Sequence, residues 1–211
     1  MTTIGLIADI HANLVALQRG LDLLRTHQPD VILCAGDLVE KGAEGDAVVE
    51  QIRSLAIPCV MGNHDFDTIG NQAWLRANAD LSHPAMQGRL LKDETLAYLK
   101  ALPKSLDFTW DEKRVVLSHG APWSNSEYIF PNSSARIFER IVQETHSPDI
   151  VILGHTHIPM CIQVNTTRII NPGAVCGNYP GGKGSFAVLT LPDFRFQIYG
   201  IDDGSLLNEY A

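Results

Sequence analysis

Residues 3–11, TIGLIADIH, are an apolar, β-branched run that ends at an aspartate, with a histidine two positions further on. The run predicts a buried strand. A helical pattern follows, in which leucines recur at spacings of three and four between Leu14 and Leu24, with Asn13 as the predicted N-cap. No basic region precedes the apolar run, so we expect a first strand and not a signal peptide.

The alternation of strand and helix continues outward from this stretch. Strands are predicted over 31–35 and 58–61 with a helix over 46–55 between them, and this βαβαβ order predicts parallel strands that are covered on both faces. The segment 66–103 is predicted to be irregular except for a helix over 93–102. The remaining predictions are strands over 106–110 and 114–118, a helix over 134–145, and strands over 150–153, 160–164, 168–170, 186–191 and 194–201.

This order of elements predicts an α/β fold. We expect a four-layer α/β/β/α sandwich of two mixed β-sheets flanked by helices, in a single domain over residues 1–211. The composition is that of a globular protein, with 45% hydrophobic and 19% charged residues. Disordered tails and fibrous repeats are therefore excluded.

The charge balance narrows the classes of partner. Lys and Arg total 16 and Asp and Glu total 24, which gives a formal net charge of −8. Stable binding to nucleic acid or to an anionic membrane needs clustered Lys and Arg, so we expect neither partner. No apolar run approaches the roughly 20 residues of a membrane-spanning helix. The four cysteines form no C-x-x-C pair, and we expect free thiols in a cytoplasmic protein.

Polar side chains follow five of the predicted strands at their carboxyl ends, where open α/β sheets bind ligands. One such residue standing alone is usually a helix cap or a satisfied polar group. Five strand ends in register would place two carboxylates, an amide and four imidazoles in one crevice, which is costly to bury without a cation. The residues that supply them are Asp9, His11, Asp37, Asn63, His119, His155 and His157, with His64 and Asp65 beside them. The other histidines, His27, His83 and His146, are predicted to be solvated.

The mixture of ligand atoms indicates which metals to expect. Imidazole nitrogens together with carboxylate and amide oxygens suit Mn²⁺, Fe, Zn²⁺, Co²⁺ or Ni²⁺, whereas an all-oxygen set would suit Mg²⁺ or Ca²⁺. Seven ligands exceed the needs of one such ion and fit two divalent ions that share a carboxylate, with Mn²⁺ as the preferred expectation. Two such ions attract phosphate and clamp the oxygens of an in-line displacement.

Five motifs in this chain resemble the signature of the calcineurin-like metallophosphoesterases in order and spacing: DIH (9–11), GD (36–37), GNHD (62–65), SHG (118–120) and GHTH (154–157). The segments DIHANLVAL (9–17), CVMGNHD (59–65) and IINPGAV (169–175) resemble the small single-domain bacterial and archaeal phosphodiesterase branch of that superfamily. The resemblance extends from Thr3 to about Leu191.

The resemblance implies a role for each of these residues. Asp9, His11 and His157 would hold one metal, Asn63, His119 and His155 the other, and Asp37 would bridge them. His64 would act as the general acid at the leaving-group oxygen, and Asp65 would orient His64 or its loop.

The chain departs from the family pattern beside the site. Relatives often continue N-P-G-S-V with an arginine-containing loop, but residues 171–185 read NPGAVCGNYPGGKGS, with Lys183 and no arginine. Glu40 and Lys41 follow Asp37 and either tune substrate choice or form a solvated turn. In the long loop 120–134, Trp123 and Tyr128 either contact substrate or pack against the protein.

These features predict an enzyme that hydrolyses phosphodiesters with a metal-bridging hydroxide as nucleophile. The alternatives are a phosphomonoesterase, a dinucleoside-polyphosphate hydrolase and a non-catalytic scaffold. The retromer scaffold subunit resembles this fold without the histidine of the N-H-D motif, whereas His64 is present here. We expect a small phosphorylated substrate, with nucleotides among the candidates, and leave a homodimer and a homotetramer both open.

Overall fold

The computed structural model describes residues 1–78, 88–177 and 182–211. The helices in these ranges are α1 (Leu14–Thr26), α2 (Gly45–Ser54), α3 (Asn63–Asn78), α4 (Asp93–Ala101) and α5 (Ala135–Glu144). The strands are β1 (Thr2–Ile7), β2 (Val31–Cys34), β3 (Ser105–Trp110), β4 (Lys113–Ser118), β5 (Ile150–Ile152), β6 (Met160–Val164), β7 (Thr167–Asn171), β8 (Ser185–Leu191), β9 (Arg195–Gly200) and β10 (Leu206–Tyr210).

The strands form two mixed five-stranded sheets. The first sheet has the order β10-β9-β8-β1-β2, with β1 parallel to β2 and antiparallel to β8. The second has the order β3-β4-β5-β7-β6, with β4, β5 and β7 parallel to one another. The prediction of an α/β sandwich of two mixed sheets is confirmed.

Alternating side chains of the strands divide the core into layers. In β1, Leu6 packs between the two sheets together with Leu117 and Ile152, whereas its neighbour Ile7 packs against the helices on the other face. Helices α1, α2 and α4 cover the first sheet through residues such as Leu21, and α5 covers the second. The sheets are therefore buried on both faces. The polar residues of the predicted site come after the carboxyl ends of the parallel strands.

Two sequence predictions differ from the structure. Residues 58–61 make a single parallel bridge, from Cys59 to Cys34, and not a full strand. The segment that begins at residue 66 is helical at its start and not irregular, because α3 runs to Asn78. Two of the few buried residues of α3 are the polar Thr68 and Gln72, so the helix lacks the apolar periodicity from which it could be predicted. Residues 79–87 of that segment lie outside the described ranges.

Three further observations complete the fold. Strand β10 was not predicted, since its residues are mostly exposed and lack apolar alternation. The four cysteines are free thiols, as predicted. None of the described helices combines the length and the apolar character needed to cross a bilayer.

Candidate metal centre

The predicted ligands lie together at the carboxyl ends of the parallel strands, on a backbone of unusual conformation. Five of them have positive φ angles between 51° and 67°: Asp9, His11, Asp37, His155 and His157. A left-handed conformation costs a residue with a side chain roughly 1–2 kcal/mol. Such strain is concentrated at functional sites, where the surrounding structure holds it in place.

Asp37 is the central residue of the site. Its Oδ1 accepts a hydrogen bond from the backbone N–H of His64 at 2.9 Å. Its Oδ2 lies 3.3 Å from Nε2 of His119 and 3.6 Å from Nε2 of His11. Burial alone would raise the pKa of Asp37, but the neighbouring His119 and His11 lower it, so the carboxylate is ionised. Asp37 therefore presents a buried negative charge to imidazoles on either side.

The first cluster consists of Asp9, His11 and His157. Nε2 of His11 lies 3.1 Å from Nε2 of His157, which in turn lies 3.4 Å from Oδ1 of Asp9. The Nδ1 atoms of both rings face backbone carbonyls, Val39 for His11 and Gly177 for His157. A carbonyl oxygen accepts a hydrogen bond from Nδ1–H, so Nε2 is the ring nitrogen that each histidine directs into the cluster, as in metal-binding histidines.

The second cluster consists of Asn63, His119 and His155. Nδ1 of His119 donates to the carbonyl of Ala35 at 2.6 Å, which leaves Nε2 facing Oδ1 of Asn63 at 3.0 Å. Ligand atoms of Asp37, His119 and His155 all lie within 4.8 Å of one another. The second cluster therefore offers two imidazoles and an amide beside Asp37.

In each cluster a neighbouring aspartate raises the pKa of one histidine. Burial opposes protonation of His119, but the Asp37 carboxylate raises its pKa to about 9. Burial also opposes protonation of His157, yet the neighbouring Asp9 carboxylate, whose Oδ1 lies 3.4 Å from Nε2 without hydrogen-bond geometry, raises its pKa to about 10. Burial lowers the pKa of His11 and of His155 to about 4, so these two rings stay neutral and keep their lone pairs. Neutral imidazoles beside ionised carboxylates are the form in which these groups bind a metal.

Two buried atoms without a hydrogen-bond partner bear on whether the site fits a metal. Oδ1 of Asp9 and Nε2 of His155 are buried side-chain atoms without a hydrogen-bond partner, although such atoms are normally satisfied. In addition, Nζ of Lys41 lies 2.9 Å from Nε2 of His11, so that a cation already contacts the first cluster. The nitrogen and oxygen donors suit a transition-metal ion at each unpartnered atom. The residues therefore fit a bound divalent metal.

The side chains of His64 and Asp65 make different contacts. The Asp65 carboxylate is buried and accepts four backbone N–H groups at 2.8–3.2 Å, those of Asp37, Leu38, Val39 and Gly62. It therefore holds the loop, and not the ring of His64. Nδ1 of His64 instead contacts the carboxylate of Glu40. The sequence predicted Glu40 either as a determinant of substrate choice or as part of a solvated turn, and its spacing from Asp37 gave no sign of this contact.

Two cavities adjoin the clusters and share Lys41 and His157. One is also lined by Asp37, His64, Tyr128 and His155, and the other by His11 and Cys176. The thiol of Cys176 lies 3.9 Å from Nδ1 of His157, a proximity that the sequence did not indicate.

The other residues considered from the sequence lie outside the clusters. Lys183 is exposed and lines neither cavity, while residues 178–181 of its loop fall outside the described ranges. Trp123 packs beneath the guanidinium of Arg140. His146 is exposed, as predicted, but His27 is half-buried against Tyr199. His83 lies outside the described ranges.

Known proteins share this architecture. The crystal structure of a metallophosphoesterase from Sphaerobacter thermophilus is 29% identical in sequence, covers 89% of this chain and 82% of its own, and superposes with a TM-score of 0.71. An uncharacterized protein of Methanocaldococcus jannaschii, MJ0912, is 28% identical over 94% of this chain and 87% of its own length. The phosphodiesterase MJ0936 of that organism is 21% identical over 84% of this chain and 87% of its own length.

The family model described as the calcineurin-like phosphoesterase superfamily domain matches residues 2–193. The match includes all the residues of both clusters. The chain therefore belongs to the calcineurin-like phosphoesterase superfamily.

Proposed function

We propose that this protein is a phosphodiesterase that works with two divalent metal ions in a single domain over residues 1–211. The observation that carries the proposal is the pair of unpartnered buried atoms, Oδ1 of Asp9 and Nε2 of His155, on either side of the ionised Asp37. A purely structural polar cluster would satisfy these atoms with protein hydrogen bonds.

The two clusters would hold one ion each. Asp9, His11 and His157 would bind the first, Asn63, His119 and His155 the second, and Asp37 would contact both. When bound, the ions supply Lewis acidity, which lowers the pKa of a water molecule and withdraws negative charge from the phosphate. Manganese is the expected metal, because the ligand set mixes imidazole nitrogen with carboxylate and amide oxygen.

His64 would donate a proton to the leaving oxygen. Its ring lines the cavity beside Asp37, and Nδ1 contacts the Glu40 carboxylate, so Nε2 is the nitrogen left for the substrate. Its backbone N–H donates to Oδ1 of Asp37, and a ring nitrogen lies within 4.8 Å of ligand atoms of Asp37 and His11. General acid catalysis at such a position typically contributes about 10²- to 10⁴-fold to the rate.

Lys41, which lines both cavities, favours a substrate whose phosphate group carries little negative charge. Among the residues that line the two cavities, it is the one lysine or arginine in the part of the chain that the structure describes. A phosphodiester carries a single negative charge at neutral pH, whereas a monoester carries up to two. The relative named as a phosphodiesterase supports the same choice.

The experiment compares two substrates with the same leaving group. The chain, loaded with Mn²⁺, is assayed with bis(4-nitrophenyl) phosphate and with 4-nitrophenyl phosphate, before and after removal of the metal by chelator. We expect a higher kcat/KM for the diester and loss of both activities in metal-free protein. Faster turnover of the monoester would identify a phosphomonoesterase, and full activity of metal-free protein would contradict the metal site.

A pair of matched variants separates the centre from general effects of charge. Asp37→Asn removes the carboxylate between the clusters and should reduce bound metal below two ions per chain with loss of activity. Asp22→Asn makes the same change at an exposed position of α1 and should alter neither quantity. Normal turnover and two bound ions in Asp37→Asn would show that Asp37 is not the shared ligand.

A further inference from the structure

We infer that the exposed rings of Tyr128 and Phe130 form a stacking platform for the base of a nucleotide ester, carried on the leaving group. The inference rests on the proposed function, because it names the substrate class of the same site. It assigns a binding role to the loop 120–134, for which the sequence left both substrate contact and packing open.

The platform is a pair of aromatic rings that face outward together. Tyr128 is 54% exposed and Phe130 38%, whereas Ile129 between them is only 2% exposed. Alternation along an extended segment therefore buries the middle side chain and presents its two neighbours on one side. The two rings are stacked on each other with an offset, with an interplanar angle of 6° and centroids 5.6 Å apart, and each keeps an exposed part for a further flat group.

Several contacts fix the loop that carries these rings. The buried Ile129 packs into the core beneath α5. The N–H of Phe130 donates to Oγ of Ser133 at 3.0 Å, and the side-chain amide of Asn125 donates to the carbonyl of Gly62 at 3.3 Å. The rings are thus held in place before a ligand arrives, which lowers the entropic cost of binding.

The location of Tyr128 points to the leaving group. Its ring stacks on His155 of the second cluster, with centroids 3.9 Å apart and an interplanar angle of 24°. It also lines the same cavity as His64, the proposed proton donor. A leaving group whose oxygen faces His64 must extend through this cavity, and a flat group attached to it comes within reach of the platform.

The chemistry of the platform favours a nucleobase. Bases stack on aromatic side chains through their π faces, largely irrespective of their identity. Tyr128 remains half exposed after covering His155, so its role is not limited to shielding that ring. A shielding role would weaken the binding of every phosphate ligand equally, whereas a platform distinguishes ligands with a base from ligands without one.

The experiment uses two probes with identical phosphonate groups. These are the phosphonate analogues of adenosine 5′-monophosphate and of ribose 5-phosphate, in which a CH₂ group replaces the ester oxygen and prevents hydrolysis. Calorimetry on the Mn²⁺-loaded chain measures the ratio of their dissociation constants. We expect the adenosine probe to bind about tenfold more tightly, because base stacking on an aromatic side chain is typically worth that much.

Variants locate the source of that ratio. Tyr128→Leu should bring the ratio close to one, and Tyr128→Phe, which keeps the ring, should preserve it. Trp74→Leu is the matched control, because Trp74 is an aromatic residue of α3 that is 64% exposed, and it should leave the ratio unchanged. Equal binding of the two probes, a ratio that survives Tyr128→Leu, or loss of the ratio in Trp74→Leu would each overturn the inference.

The results also separate this inference from the proposed function. Hydrolysis of phosphodiesters without any preference for the adenosine probe would leave the phosphodiesterase intact and remove the platform. Tighter binding of the adenosine probe that depends on Tyr128, in a protein that hydrolyses no phosphoester, would retain the platform and remove the phosphodiesterase.

Discussion

Nδ1 of His64 contacts the carboxylate of Glu40, a residue 24 positions earlier in the chain. Glu40 and the adjacent Lys41 both have positive φ angles, 69° and 65°, in the turn that follows β2. That turn brings an anion to His64 and a cation to His11. The two residues after the GDLV segment thus contact histidines of the site, Glu40 from a half-buried position and Lys41 from an exposed one.

Glu40→Gln tests whether this carboxylate acts through His64. Glutamine retains an acceptor for Nδ1–H but loses the charge that balances a protonated His64, so we expect kcat for an alkyl phosphodiester to fall about tenfold. In a His64→Ala background the same change should have no further effect, because the residue through which it acts is absent. Additive losses in the double variant, measured by steady-state kinetics, would show that Glu40 acts independently of His64.

His64→Ala tests the proton donor itself. Both metals should remain bound, since Asn63 and not His64 faces the second cluster. An alkoxide leaves poorly unless it is protonated, so kcat for an alkyl ester should fall by roughly 10²-fold or more, and much less for a nitrophenyl ester. The measurement is the dependence of rate on leaving-group pKa, which should steepen in the variant. An equal loss for all leaving groups would indicate that His64 positions the phosphate.

Most of the cluster residues could be predicted from the sequence because they follow apolar strands directly. Asp9, Asp37 and His119 each come one to three residues after a strand, and parallel strands bring their carboxyl ends to one edge of the sheet. A strand of four to six residues is visible as an apolar run, so the polar residue that ends it is visible as well.

The contacts of Glu40, Tyr128 and Cys176 could not be predicted in the same way. Each depends on the path of a loop, and Glu40 on a left-handed conformation that glutamate rarely adopts. Helix α3 was missed from residue 66 onward because it buries Thr68 and Gln72 where a helical pattern would show apolar residues. In both cases tertiary contacts, and not local sequence preference, determine the structure.

Removal of the metals should lower stability as well as activity. Without them, the carboxyl groups of Asp9 and Asp37 stay buried inside the crevice, and Oδ1 of Asp9 has no hydrogen-bond partner. A ligand that binds only the folded state stabilises it by about 2.7 kcal/mol at one hundred times its dissociation constant. We therefore expect Mn²⁺ to raise the Tm of chelator-treated protein, and Mg²⁺ to raise it less. A Tm that does not respond to Mn²⁺ would contradict a metal site in the folded chain.

Asp65→Asn should destabilise the protein. The carboxylate accepts four backbone N–H groups, whereas an amide would direct a donor at two of them. Leaving two buried donors without an acceptor costs about 2–4 kcal/mol of unfolding free energy. Asp67→Asn makes the same substitution at an exposed position of α3 and should change it by less than about 0.5 kcal/mol. Equal denaturation midpoints for the two variants would show that the Asp65 hydrogen bonds do not hold the loop.

Gly62→Ala tests how closely the two halves of the site are packed, with Gly70→Ala as its matched control. A Cβ on Gly62 would lie 2.8 Å from Cγ of Asp37 and closer still to its Oδ1, whereas a Cβ on Gly70 would meet no atom within 4 Å. The first substitution should push the Asp37 carboxylate away from both clusters. We expect bound metal below two ions per chain, loss of activity, and about 1–3 kcal/mol of destabilisation from overpacking.

Gly70 lies within α3, so its replacement by alanine should stabilise the protein by roughly 0.5–1 kcal/mol and leave metal content unchanged. Metal analysis and chemical denaturation of the two variants make the comparison. If Gly62→Ala retained two ions and normal turnover, Asp37 could not be the residue that contacts both clusters, because its carboxylate cannot keep its place beside the added methyl group.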